Sequence, residues 1–271
     1  MKFYLRVWLI IVCWGTTLVQ ADPGHTSLSL DYDSGFVEND PVLSFAAQYQ
    51  QKLDPLYGIQ CVQGISKNFY TDATQTEWVL GDTMLALLLY PMSLVPPVTW
   101  TVRLGMTLPL SQASRRNQVY SRPELASTAS YALSTATKIS ATGFLRMPWS
   151  AYQTTAGTDG VGGDPLPRYA YGAAFTLLQE AFWQSQLFLR ASYYETKYYK
   201  STEEGASTLP LLGLPEQGYS LTLRMEWPLT EQLALTGGIS QGSVLEQAGL
   251  SDYKIFDEEA STWSLGIGYS F

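Results

Sequence analysis

The chain has 271 residues, enough for one large β domain or two small ones. Its 24 acidic side chains outnumber 16 basic ones and leave no basic face, which excludes a nucleic-acid binder. Hydrophobic residues make up 46% and aromatic residues 13%, yet no segment past the N-terminus is a continuous apolar run of helix length, so a membrane protein built from helices is excluded too.

The N-terminus reads as an export signal. Lys2 and Arg6 form a short positive region, Val7 to Trp14 an apolar core, and Val19-Gln20-Ala21 a small-residue cleavage site before Asp22-Pro23. That core is far shorter than the ~20 residues of a spanning helix. Val12 stands where a lipoprotein signal has a small residue before its cysteine, so Cys13 is not read as a lipid attachment point. The expectation is a signal peptide over residues 1–21 and a secreted domain over 22–271. Without residues 1–21 the charge is 14 basic against 24 acidic, and Cys61 is the only cysteine, so no intramolecular disulfide can form.

Alternation then runs through the rest of the chain. Trp100, Val102, Leu104, Met106 and Leu108 alternate with Thr99, Thr101, Arg103, Gly105 and Thr107. Tyr169, Tyr171, Ala173, Phe175 and Leu177 alternate with small residues, and Tyr219, Leu221, Leu223, Met225 and Trp227 with Ser220, Thr222, Arg224 and Glu226. A strand with large apolar groups on one face and small or polar groups on the other is what a barrel wall between lipid and an interior requires. Met84 to Tyr90 is apolar at both parities, which predicts a bulge near Gly81-Asp82 or a filled interior beside it.

Connections fall into two kinds. Short ones are expected at Lys52 to Leu56, Tyr90 to Pro97, Ser134 to Lys138, Glu180 to Gln184 and Trp227 to Gln232. Long polar ones are expected at Asp33 to Pro41, Tyr70 to Gln75, Ser111 to Leu125, Pro148 to Arg168, Lys200 to Gly218 and Gly242 to Glu259. The two kinds alternate, as short periplasmic turns and long external loops do in these barrels. The pattern predicts an all-β, transmembrane, antiparallel up-and-down barrel of about twelve strands with periplasmic termini. Ten strands is the alternative, if Ser127 to Arg146 is one long strand. A soluble β-sandwich explains neither the loop asymmetry nor the last strand.

In that last strand Trp263, Leu265, Ile267, Tyr269 and Phe271 share one face, while Thr262, Ser264, Gly266, Gly268 and Ser270 share the other. This ending resembles the terminal strand of bacterial outer-membrane β-barrel proteins. The resemblance implies that Phe271, with Tyr269, serves as a signal to the barrel-assembly machinery, and that the partners are outer-membrane lipid and lipopolysaccharide. The overall layout also resembles outer-membrane barrel transporters.

The chemistry-bearing residues are few. Outer-membrane barrel enzymes rely on an active-site histidine, and the single histidine, His25, stands before the first strand, so a Ser-His or Asp-His arrangement has nothing to build on. His25 and Cys61 are too isolated for a metal site, and the acidic runs Glu203-Glu204, Asp252 and Asp257 to Glu259 match no calcium-loop spacing. No enzyme activity, cofactor or metal is expected. The informative set is charge at inward parity: Arg103, Arg146, Arg190 and Arg224, with Glu226, Asp31 and Asp82 as carboxylate partners. A charge facing lipid near the midplane costs roughly 2–4 kcal/mol, which assigns these residues to the lumen. Phe144, Phe188 and Tyr194 share that parity. Two functions remain open. One is a small-solute channel constricted by arginines and carboxylates; the other is a plugged barrel that acts through its loops as an adhesin, a receptor or the membrane component of a larger complex.

Overall fold

Backbone groups facing lipid have no hydrogen-bond partner there, so strands in a bilayer must close on themselves. This chain meets that requirement. The computed structural model describes residues 25–35, 41–69, 78–95, 97–151, 166–199, 216–246 and 261–271. The expected signal peptide and the acidic runs at 203–204 and 252–259 lie outside them.

The strands are β1 (His25–Gly35), β2 (Val42–Lys52), β3 (Tyr57–Asn68), β4 (Trp78–Leu80), β5 (Thr83–Val95), β6 (Val98–Leu108) and β7 (Val119–Ala132). They continue as β8 (Thr137–Arg146), β9 (Trp149–Ser150), β10 (Pro167–Glu180), β11 (Gln186–Tyr198), β12 (Glu216–Pro228), β13 (Leu233–Glu246) and β14 (Ser261–Ser270). A short helix, α1 (Gln112–Arg116), precedes β7. Both β4 and β5 pair with β3, and both β8 and β9 pair with β7, so each couple forms one stave. The described residues thus form twelve staves, each antiparallel to the next, and the pairing of β1 with β14 closes the ring. This settles the strand count at twelve. The segment from Ser127 to Arg146 is two strands joined by a turn at 133–136.

The joint between β4 and β5 is a bulge, because Ile65 pairs with Leu80 while Val62 pairs with Met84: three residues of β3 face four of the other stave. Below it, Met84, Ala86 and Leu88 share the inward parity of Arg103, so the stave has a bulge and an apolar inner lining at once.

The outer face carries the large apolar side chains. Leu30, Phe45, Leu87, Trp100, Leu104, Phe175, Leu223, Ile239, Trp263 and Leu265 are all exposed. A water-soluble protein would bury such a belt; here its partner is lipid. The inner face is small and polar, with pairs such as Thr128 with Thr142 (2.9 Å), Ser192 with Ser220 (2.7 Å) and Thr222 with Ser240 (3.1 Å).

Strands run further than expected on the side of the long connections. The expected loop from Ser111 to Leu125 holds α1 and the start of β7, β10 begins at Pro167, β12 begins at Glu216 and β13 continues to Glu246. On the other rim β5 reaches Val95 and tightens its hairpin with β6. Outside the bilayer no lipid enforces alternation, so ladder hydrogen bonds continue where the periodic signal has stopped. The start of β1 and the end of β14 lie together on the short-turn rim, where the Phe271 amide donates to the Thr26 carbonyl at 2.9 Å.

Candidate functional site: the lumen wall

Inward parity gathers charge first on β6, β7 and β8. Glu124 stands on β7 opposite Gly105 of β6 and Arg146 of β8. The missing side chain at Gly105 leaves room for it, since a Cβ there would lie 3.7 Å from that of Glu124. Its Oε2 accepts from Arg146 Nε at 2.9 Å and Nη2 at 2.5 Å, and its Oε1 accepts from Arg103 Nη2. Bonds between ionised partners are the stronger kind, and this fork holds both arginines by one carboxylate. The Glu124 side chain is only 7% accessible, whereas those of Arg103 and Arg146 remain 36% and 49% accessible. The Arg146 guanidinium also lies 5.8 Å from the Phe144 ring centre, a cation–π distance.

Phe144 does not stand out into the lumen. Two of its ring carbons lie 2.7 and 2.8 Å from where a Cβ of Gly172 would be, so the ring lies against the wall over that glycine. Tyr194 covers Gly218 in the same way. Phe188, inward between Leu178 and Arg224, is half-buried.

A second cluster forms around Asp82, which the bulge turns inward. It accepts from the Ser111 amide at 2.7 Å and from Ser114 Oγ at 2.5 Å, and Arg122 Nη1 lies 3.4 Å from it. Arg122 Nη2 also donates to Ser114 Oγ at 3.0 Å, while Ser111 caps α1 through the Ser114 amide at 3.1 Å. Arg122 shares the inward parity of Glu124, so α1 is docked on the inner side of the wall, with Ser114 fully buried and Arg115 and Arg116 exposed.

The remaining expected positions stand apart from these clusters. Arg190 lies between Thr176 and Thr222, Arg224 between Phe188 and Gly238, and both are exposed. Glu226 is half-buried between Gln186 and Thr236. Asp31 lies between Ser44 and Gly266, its Oδ1 occupying the space a Gly266 side chain would take. Of the six expected lumen residues, only Arg103 and Arg146 are brought together, and Asp82 is joined to Arg122 in place of any of the four expected arginines. Glu124 and Arg122 escaped the sequence reading because both fall in the segment taken as a loop. Their usable signal was two opposite charges two residues apart, at the parity of the small residues that follow.

No protein-family profile matches the sequence, and no curated protein sequence matches it. Solved structures do. The chain is similar to an outer-membrane channel from Pseudomonas putida F1, with a TM-score of 0.61 at 10% identity over 94% of this chain and 97% of that one. It is also similar to the KdgM porin, in complex with disordered oligogalacturonate (TM-score 0.54, 5% identity, 90% and 99% covered), and to the NanC porin (TM-score 0.53, 10% identity, 90% and 98% covered). Likeness at such identities is one of fold. Joined with the apolar belt and the closed ring, it makes the chain a β-barrel of the bacterial outer-membrane type.

Proposed function

We propose that this barrel is an outer-membrane channel for small solutes, which pass along a wall lined by arginines and carboxylates. The observation that carries the reading is accessibility at inward parity. Arg146 keeps 49% of its side-chain surface accessible although it points to the barrel interior. Arg190 and Arg224 are exposed as well. A plugged interior would cover these groups; a water-filled one leaves them wet. The flattening of Phe144 and Tyr194 against glycines keeps bulky rings out of the path.

The reading is non-enzymatic. His25, the sole histidine, stands exposed at the start of β1 on the short-turn rim, away from the clusters around Glu124 and Asp82. Planar-bilayer recording tests the proposal: discrete conductance steps are expected, and Arg103→Ala or Arg224→Ala should shift ion selectivity. A silent bilayer with folded protein would overturn it in favour of a closed barrel acting through its loops.

A further inference from the structure

Charge is distributed unevenly around the ring. Among the described residues, the inward positions of β6, β7, β8 and β11 hold Arg103, Arg122, Lys138, Arg146 and Arg190, with Glu124 as the one carboxylate. Docked on this wall, α1 adds Arg115 and Arg116, and Asp82 beneath it offsets one charge. The Arg103 and Arg146 side chains stay 36% and 49% accessible, so this wall presents guanidinium donors to the lumen. On β12, Arg224 is near enough to Asp33 of β1 to offset part of its charge, while Glu226 adds a carboxylate on the same strand. On the short-turn rim, Lys52 stands on β2 and Glu180 on β10, where Glu180 lies two residues beyond Leu178, the cross-strand partner of Lys138.

The opposite sign collects on β1. Asp31 and Asp33 lie two residues apart on one face, both inward, opposite Gly266 and Ser264 of β14. Among the described residues no hydrogen bond or ion pair ties either carboxylate down. In the ring of twelve staves, β8 is sixth from β1 in both directions, so Arg146 and the Asp31–Asp33 pair stand on facing walls. Facing walls of opposite sign set a field across the lumen, and low-dielectric walls concentrate it. A monoanion in that field satisfies the basic wall and is repelled by the acidic one; a cation meets the reverse. A molecule bearing both charges satisfies both walls together.

We infer that the lumen selects small zwitterionic solutes, which cross it with a carboxylate towards Arg103 and Arg146 and an ammonium towards Asp31 and Asp33. The inference rests on the channel reading above and adds the solute class. It is tested with the full chain in proteoliposomes, by efflux of radiolabelled alanine, lactate and propylammonium, three probes of similar size. Alanine should leave about threefold or more faster than either ion. The isosteric double variant Asp31→Asn/Asp33→Asn should abolish that advantage and speed lactate, while Arg190→Gln, a residue outside both clusters, should slow lactate. Heat-modifiable migration on gels verifies that each variant is folded. Efflux of alanine no faster than lactate in the wild type, or an unchanged ranking in the double aspartate variant, overturns the inference and leaves the channel standing. Retention of all three probes overturns the channel reading itself.

Discussion

Ile239 and Ser240 are adjacent in β13, at the same depth, on opposite faces of the wall. Ile239 is 51% exposed, and its cross-strand neighbours Leu223 and Trp263 are exposed apolar residues as well, so it lies within the belt near the middle of its strand. Ser240 points inward, hydrogen-bonded to Thr222 at 3.1 Å. An arginine at Ile239 would place its charge in hydrocarbon, at a cost of about 2–4 kcal/mol at the midplane. That is a change of roughly 30- to 900-fold in the folding equilibrium. An arginine at Ser240 enters a hydrated lumen and loses one neutral hydrogen bond, worth about 1 kcal/mol. Reversible urea unfolding in lipid vesicles, followed by tryptophan fluorescence, measures both. Ile239→Arg should therefore unfold at clearly lower urea than Ser240→Arg. Equal costs, or a larger cost at Ser240, would refute the assignment of lipid and lumen faces on which every functional statement depends.

Other perturbations address the sites directly. Asp82→Asn removes the charge that holds Ser111 and Ser114, and α1 should open more often; bonds to a charged group contribute about 1.5–3 kcal/mol, and trypsin cleavage after the exposed Arg115 and Arg116 should accelerate accordingly. Gly172→Val drives a side chain into the Phe144 ring and the Tyr193 carbonyl, and should cost about 1–3 kcal/mol by urea unfolding. Glu124→Gln leaves Arg103 and Arg146 without their shared anion, and the reversal potential in a salt gradient should move towards anion selectivity. Deleting Phe271, whose ring meets Tyr269 edge-on at 4.7 Å, should reduce the heat-modifiable, membrane-assembled fraction in cells.

What was legible in the sequence was whatever the bilayer enforces. Wherever lipid demands one apolar face, as from Trp100 to Leu108 or Tyr219 to Trp227, period-two patterning located the strand and its facing. Beyond the bilayer that demand lapses, and the first residues of β7 carry no period-two signal although they pair with β6 and β9. The lumen charges were found individually by parity, but their partners were not. Partnership depends on stagger between staves: Glu124 meets Arg146 directly across the ladder yet reaches Arg103 diagonally, past Gly105. No single strand reveals that offset. Closure of twelve staves fixes it.

The bulge at Gly81 and Asp82 shows why a polar residue can belong on the lipid side. Without the extra residue, the parity that sends Leu85 and Leu87 outward would turn Trp78 and Leu80 into the lumen. With it, all four stay on the lipid face and Asp82 is free to dock α1. A bulge interrupts the ladder, however, and an unpaired backbone group in lipid is costly. Gln63 resolves this. It lies on the outward parity opposite Ala47, yet it is buried, because its amide folds over the interruption. Its Nε2 donates to the Gly64 and Gly81 carbonyls, each at 2.9 Å, and its Oε1 accepts from Thr83. Gln63→Leu therefore makes the lipid face more apolar and should still destabilise the barrel, by about 1–3 kcal/mol for polar groups left unsatisfied. Gln63→Glu, which keeps one acceptor but loses the donor, should not rescue it. Urea midpoints in vesicles decide the matter: a leucine variant as stable as wild type would mean that the bulge carbonyls find partners without Gln63.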